Sequence, residues 1–331
     1  MPDRIVIGVC TYNGAGRIVP TLEALVGQDR LGGRVTRIVV VDNNSTDNTA
    51  EVVRAFARRH EHFPIELISE PKPGKVEAMR TLVRATDEPY MMLTDDDTLP
   101  GPRWAAALAR LLDDHPRAGI ASGPVKPKWE AGPTRLARIY VKSLGDQDFG
   151  PARVCLDHPL TFLMGASLGI RRQAFDDSRW MTDSRLVART GKSLECGAED
   201  AEVCFLIRKA GWEVWWEPDA PMLHCIPAGR QTAEYLARLR GSICRGEPKL
   251  HWIALGADPN LGAHAARQAA VCHRRYIKTL LFDWRPTRRR IRLAERKGRL
   301  DGWMSLAAEL NQGAAPAAGV LTAADAHRTP P

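Results

Sequence analysis

No apolar run in this chain approaches the roughly 18–20 residues that a membrane-spanning helix needs, so no membrane-spanning helix is expected in it. There is no CxxC, and the seven cysteines are odd in number and widely scattered. That usage predicts reduced thiols in the cytoplasm rather than a disulfide framework. Cys196 and Cys225 are spaced wrongly for a structural zinc site. The first apolar segment, Arg4 to Cys10, begins almost at Met1, so no signal peptide is expected. No internal repeat is visible. Gly14-Ala-Gly16 lacks the third glycine and the acidic partner of a dinucleotide fingerprint.

What is present is enough apolar residue for a full core: 44% of 331 residues, which fits one α/β domain with an appendage better than two equal domains. Over the first 125 residues, short β-branched runs alternate with amphipathic segments. Strands are expected at Ile5–Val9, Ile38–Val41, Ile65–Ile68, Tyr90–Leu93 and Gly119–Ser122. Helices are expected from Ile18 to Val26, Lys75 to Arg84 and Trp104 to Leu112. This order predicts a mostly parallel, Rossmann-like sheet flanked by helices, with ligands at the strands' carboxyl ends. Asn13, Asp42 and Asp95 each follow such a strand, so they converge on one edge. Residues 126–160 have no clear period and read as loops of the acceptor side, and Gly313–Pro331 reads as a disordered tail.

Charge is concentrated near the C-terminus. Residues 267–299 hold twelve Lys/Arg against Asp283 and Glu295, or +10, while the whole chain is +8 and the remainder therefore −2. Val271, Tyr276, Ile277, Leu280, Leu281 and Trp284 interleave with the arginines. Two readings stay open: an amphipathic helix on an anionic membrane surface, or a helical appendage packed on the domain or on a second subunit. Nucleic acid is disfavoured, because the globular part is near neutral and carries no reading module.

Two acidic clusters carry chemistry. Asp95-Asp96-Asp97 ends an apolar strand. Carboxylates one residue apart can present oxygens to Mn²⁺ or Mg²⁺ while a diphosphate fills the other positions. Three adjacent like charges are costly without a cation. Glu199-Asp200 opens an amphipathic helix, where partial positive charge favours ionised carboxylates. Glu202, further along that helix, is expected to face solvent.

The ordered set Val9-Cys-Thr11-Tyr12-Asn13, Val40-Val-Asp42-Asn-Asn-Ser45-Thr-Asp47, Pro73-Gly74-Lys75, Thr94-Asp-Asp-Asp97, Leu163-Met-Gly165-Ala-Ser-Leu-Gly-Ile-Arg171-Arg172 and Gly197-Ala-Glu199-Asp200 resembles the family 2 glycosyltransferases. The resemblance covers about residues 4–245 and implies an inverting enzyme of A-type nucleotide-sugar fold. Leu223-His224-Cys-Ile-Pro227, Arg230-Gln-Thr232 and Tyr235 look like the segment that follows the catalytic motif in bacterial surface-polysaccharide members.

The resemblance implies roles residue by residue. Thr11-Tyr12-Asn13 and Asp42 would hold the base, with Tyr12 near a uracil ring; a planar group and a carboxylate suit stacking and the imide N–H. Asp95 would lie nearer the ribose and Asp97 on the metal, with Asp95 as a further metal ligand, Asp96 beside the donor and the register of the triple left open. The general base would come from the acidic pair, Asp200 with Glu199 as the alternative. His224 would complete the metal shell and Arg230 would neutralise the diphosphate. Lys75 fits a phosphate contact or a solvated helix start. Gly165 and Ala166 would line the donor or acceptor pocket, where small residues permit close approach.

The expected organisation is a catalytic domain over 1–255 (nucleotide-binding half 1–125, acceptor half 126–255), a basic helical appendage over 256–312 and the tail beyond. The expected activity is transfer of a hexosyl or N-acetylhexosaminyl group from a UDP-sugar to a glycan, lipid-linked or other glycoconjugate acceptor, by a cytoplasmic enzyme for which a homo-oligomer is a further expectation. A nucleotidyltransferase is the enzyme alternative, but it would want a lysine-bearing glycine loop where Thr11-Tyr12-Asn13-Gly14 stands. An inactive nucleotide-sugar-binding protein would be expected to have lost a carboxylate.

Overall fold

Apolar runs buried on both faces build the centre of the molecule, and the computed structural model describes residues 4–29, 31–184, 198–255 and 261–311. The nucleotide half alternates β1 (Ile5–Thr11), α1 (Ile18–Val26), β2 (Val35–Asp42), α2 (Thr49–Arg59), β3 (Ile65–Ser69), α3 (Lys75–Arg84) and β4 (Tyr90–Asp95). There follow β5 (Thr98–Pro100), α4 (Trp104–Asp114), β6 (Ala118–Ser122), β7 (Val125–Trp129), α5 (Arg135–Ile139), β8 (Val154–Cys155), β9 (Ser167–Arg171), α6 (Arg172–Asp177) and α7 (Trp180–Asp183). The last elements are α8 (Glu199–Lys209), β10 (Glu213–Trp216), β11 (Met222–Ile226), α9 (Ala233–Leu255), α10 (Leu261–Phe282) and α11 (Pro286–Asn311).

The main sheet has eight strands in the order β3-β2-β1-β4-β9-β6-β10-β8. β3, β2, β1 and β4 are parallel, whereas β9 runs antiparallel between β4 and β6. Period-two alternation sorts β1 cleanly. Ile5, Ile7 and Val9 meet Leu22, Phe56 and Leu108 on one face, while Val6 meets Met79, Leu82 and Val83 on the other. Both faces are therefore dry, and each fully buried Leu or Phe contributes about 1.5–3 kcal/mol relative to exposure. Parallel register brings the strand ends level: Thr11 lies opposite Asp42, and Cys10 opposite Asp95. The expected edge is formed.

Residues 126–160 differ from the loop expectation, because β7 joins β5 and β11 in a second, three-stranded sheet. β11 lies antiparallel to β5 and parallel to β7. Lys-Pro-Lys in β7 interrupts the alternation that identifies a strand, so tertiary pairing decided it. The Cys225 N–H donates to the Asp97 carbonyl at 2.8 Å, which sets His224 beside the acidic turn.

Among the described residues, no helix is long and apolar enough to cross a membrane. The C-terminal basic stretch forms α10 and most of α11, and α11 packs on α9. The crossing is close: a Cβ at Gly298 would fall 2.0 Å from the Gly241 carbonyl oxygen. Arg240–Glu295 (2.7 Å), Arg245–Asp301 (3.0 Å) and Lys249–Glu309 (3.0 Å) flank that seam. Ile291 joins Leu144, Ile226 and Leu236 in a satellite core. α11 is thus built onto the part of the molecule that carries β11 and α9. The expected tail, Gly313–Pro331, and Gly197 of the acidic motif lie outside the described residues.

Candidate active site

The turn after β1 is tied down by neighbours far away in sequence. Asn13 takes a left-handed conformation (φ 48°). Its N–H donates to Ser45 Oγ, and its Oδ1 accepts from the Thr46 N–H. Asp42 is buried, and its Oδ1 accepts from the Ser45 N–H. Tyr12 is half-buried beside them. Thr11, Tyr12, Asn13 and Asp42 therefore share one end of the sheet.

Asp96 corrects the expectation for the acidic triple. It is buried, its Oδ2 accepts from Thr11 Oγ1, and both its oxygens receive Arg17, at 2.9 Å from Nε and from Nη2. Burial raises its pKa, and Arg17 opposes that rise. A carboxylate so engaged braces the turn and is not free for a nucleotide. Arg17 was not expected from the sequence. It also donates to the Asn13 and Tyr12 carbonyls, and its place four residues after Asn13, at the start of α1, was the available signal.

Asp95 points elsewhere. Its Oδ1 receives Lys75 Nζ at 2.7 Å, and Lys75 lies 3.6 Å from Glu199 Oε1. Burial alone would lower the Lys75 pKa, but Asp95 and Glu199 outweigh it and raise the ammonium further. Lys75 is therefore neither a solvated helix start nor free; it joins the two acidic motifs. Asn43, also unexpected, positions it by accepting from the Gly74 N–H at 2.7 Å and donating to the Lys72 carbonyl.

Glu199 is buried against Lys75, whereas Asp200 is only partly buried. Asp200 Oδ2 accepts from the Gly165 N–H at 2.9 Å and Oδ1 from the Ala201 N–H at 2.8 Å. Burial and the Glu199 charge push its pKa up to about 6, against Lys75 and the two N–H donors. Ala166 is buried, and its carbonyl accepts from Thr94 Oγ1. Glu202 is a correction: it is fully buried, accepting from Trp180 Nε1 at 3.1 Å and Ser184 Oγ at 2.8 Å. The helix turns it toward α7, which the short window after Gly197 could not reveal.

Asp97, His224 and Arg230 form the other cluster. Asp97 Oδ1 is 3.3 Å from His224 Nε2, and Asp97 Oδ2 is 2.9 Å from Arg230 Nη2. Burial would raise the Asp97 pKa, yet His224 and Arg230 hold it well below the usual range. His224 Nδ1 lies 3.0 Å from the Leu144 carbonyl. A carbonyl only accepts, so Nδ1 carries the proton. In the neutral ring, Nε2 then carries a lone pair beside the buried carboxylate, and Arg230, whose Nη1 lies 3.3 Å from Nε2, is the cation that faces both. Gly145 makes room: at φ +102°, a Cβ there would lie 2.4 Å from His224 Nδ1.

This donor set fits a hard divalent cation. A carboxylate oxygen and an imidazole nitrogen leave the remaining positions to a diphosphate and water. Asp95, also expected on the metal, has its Oδ1 engaged by Lys75 at 2.7 Å, so a cation there would compete with the ammonium for it. Among the described residues, no group of three or more His, Cys, Asp or Glu could hold a metal alone.

Both clusters open on one cavity of about 540 Å³, lined by Lys75, Asp95, Gly165, Ala166, Glu199, Asp200, His224 and Arg230. Phe149, Phe162, Tyr235, Ile243 and Arg240 and Glu247 of α9 also line it. Gln147 shapes the rim by donating to the Phe162 carbonyl and accepting from the Met164 N–H.

Comparison with known proteins agrees with this fold. A mannosyltransferase from Pyrobaculum calidifontis, solved with GDP-Man and Mn²⁺, superposes with a TM-score of 0.57 at 20% identity, over 93% of this chain and 88% of that one. The S. aureus TarS fragment 1–349 gives 0.51 at 13% identity, over 94% and 92%. GalNAc-T7 with UDP, GalNAc and Mn²⁺ gives 0.53 at 12%, over 78% and 53%. These likenesses establish a shared fold. In sequence, the uncharacterized protein y4gI of Sinorhizobium fredii is 22% identical over 240 residues, which is 67% of this chain and 25% of that protein. The chain thus spans about a quarter of that relative's length. The model of glycosyl transferase family 2 matches residues 6–179, more than half of the chain and every motif from Thr11 to Arg172, so the chain belongs to that family.

Proposed function

We propose that the chain moves a sugar from a nucleoside diphosphate sugar to an acceptor hydroxyl with inversion, and that Asp200 is the general base. The observation that carries this is the placement of Asp200. It is held by two backbone N–H groups, its pKa is raised to about 6, and it shares one cavity with His224 and Arg230, the two partners of Asp97.

In the proposed step, Asp200 accepts the acceptor hydroxyl proton. The acceptor oxygen forms its bond to the anomeric carbon on the face opposite the diphosphate, and the bond from that carbon to the diphosphate oxygen breaks. Asp97 and His224 would hold Mn²⁺ or Mg²⁺, which supplies electrostatic stabilisation of the diphosphate when bound. Arg230 sits where it can meet the charge developing on the leaving group. Lys75 and Glu199 position Asp200 by setting its charge environment, and Asp95 shares Lys75 at the ribose side.

A uridine donor is favoured by the pairing of Tyr12 with the buried carboxylate of Asp42, which suits stacking on a pyrimidine and an imide N–H. The mixed apolar and polar wall around Ile243, Arg240 and Glu247 suits a glycan or other glycoconjugate acceptor. We place a catalytic unit over 1–255 and a helical unit beyond it, with α9 bridging the two. The test is slow donor hydrolysis over a nucleotide-sugar panel, with and without Mn²⁺. Turnover unaffected by EDTA, or none with any donor, would refute the reading.

A further inference from the structure

Five of the eleven large apolar side chains exposed among the described residues fall within eight positions: Ile277 (39% exposed), Leu280 (41%), Leu281 (67%), Phe282 (72%) and Trp284 (81%). They sit at the end of α10 and in the turn to α11. α10 packs on α11 through Ala265, Ala269, Cys272 and Thr279, which are buried, so its small residues face inward and its large ones face water. That is the reverse of what burial energy favours for an unpartnered helix.

Charge surrounds this corner. Arg274, Lys278 and Arg285 form no ion pair with any described residue, and the Arg285 guanidinium lies 5.4 Å from the Trp284 ring centroid. Asp283 is the only carboxylate between 267 and 294, and Arg292 already engages it at 3.0 Å. The corner thus presents bare cations around a convex apolar tip.

We propose that the α10–α11 corner is a docking surface for an anionic lipid bilayer. Leu281, Phe282 and Trp284 enter the headgroup boundary, while Arg274, Lys278 and Arg285 meet lipid phosphates. A second copy suits the corner poorly: a two-fold contact would oppose two +10 stretches, and the rest of the chain offers only −2. Nucleic acid would satisfy the arginines but leave the aliphatic tip in water. A bilayer satisfies both. This inference stands apart from the proposed reaction, since none of these residues lines the cavity.

The test is flotation of the full chain with phosphatidylcholine vesicles, with and without phosphatidylglycerol, at low and high salt. Binding should need the anionic lipid and weaken with salt, as charges become screened within about 8–10 Å. Neutralising Arg274, Lys278 and Arg285 to Gln should weaken binding about five-fold per residue. Leu281→Ser with Phe282→Ser should weaken it at least about ten-fold. Trp284→Phe should remove the vesicle-induced blue shift of tryptophan emission. Donor hydrolysis in solution should be unchanged in all of these variants, which shows that they fold. Failure of the parent to bind anionic vesicles would overturn the proposal. So would vesicle binding indifferent to both variant sets, or a tip variant whose only effect is to dissociate a dimer or release nucleic acid.

Discussion

Replacing Asp200 with Asn should separate activity from stability in opposite directions. The side chain keeps its shape but loses the proton acceptor, so kcat should fall about 10²-fold or more while donor binding survives. The parent's kcat/KM should fall with unit slope below a midpoint of about 6, since that parameter reports the free enzyme's base. Glu199→Gln removes the neighbouring charge that raises Asp200, so the midpoint should move down. Lys75→Met removes the charge that lowers it, so the midpoint should move up. The stability sign follows from the same shift. A carboxyl raised from 3.8 to about 6 favours the fold below pH ~4 and loses that contribution as pH rises through about 6. At pH 7 the ionised group costs on the order of 3 kcal/mol, at about 1.36 kcal/mol per unit. Asp200→Asn should therefore be more stable than the parent at pH 7–8, by about 1–3 kcal/mol after its weaker hydrogen bonds are counted, and equal to it near pH 4. Denaturant titration at both pH values, beside pH–rate profiles of the three variants, measures all of this. A flat profile between pH 5 and 8 would refute the reasoning, as would an active Asp200→Asn beside an inactive Glu199→Gln.

Other residues give sharper single outcomes. Asp97→Asn should abolish Mn²⁺-dependent UDP binding in calorimetry, and EDTA should do the same to the parent. Gly145→Ala, with its Cβ driven onto His224 at a φ of +102°, should destabilise the fold by about 1–3 kcal/mol and weaken cation-dependent donor binding. Arg17→Met should cost about 3–5 kcal/mol in denaturant unfolding, because it leaves Asp96 buried with Thr11 alone. Gly298→Val cannot fit against the Gly241 carbonyl, so α9 and α11 should separate, read as lost helical signal and a lower melting temperature. Removing residues from 262 onward takes Ile291 and Leu306 out of the core and should yield aggregate rather than a soluble, donor-hydrolysing fragment.

The sheet and the edge of the site could be read from the chain because both depend on local pattern. Runs such as Ile38–Val41 are apolar at every position, which only a strand buried on both faces requires. A polar residue just after such a run must emerge at the carboxyl end. Hence Asn13, Asp42 and Asp95 fall together, as do the two acidic motifs around one cavity. β9 stayed hidden inside a motif because an antiparallel strand in a parallel sheet has no signature of its own in five residues.

What each carboxylate does was not local. Asp95, Asp96 and Asp97 are adjacent in the chain, yet they face Lys75, Arg17 and His224 with Arg230, respectively. Those partners lie 20, 79, 127 and 133 positions away. A turn directs successive side chains differently, and which direction wins depends on the distant cations that repay desolvation of each charge. The same holds for Glu199 and Asp200, where Lys75 buries one and the Gly165 N–H turns the other to the cavity. It holds too for the basic C-terminus, whose count was plain in the sequence. Only packing divided it into cations paired internally, such as Arg299 with Glu247 of α9, and cations left facing water at the end of α10. The sequence alone thus determined the family, the sheet and which residue types gather at its edge. The tertiary structure decided which of those charges are neutralised internally, because long-range pairing, not local spacing, sets the cost of burying a charge.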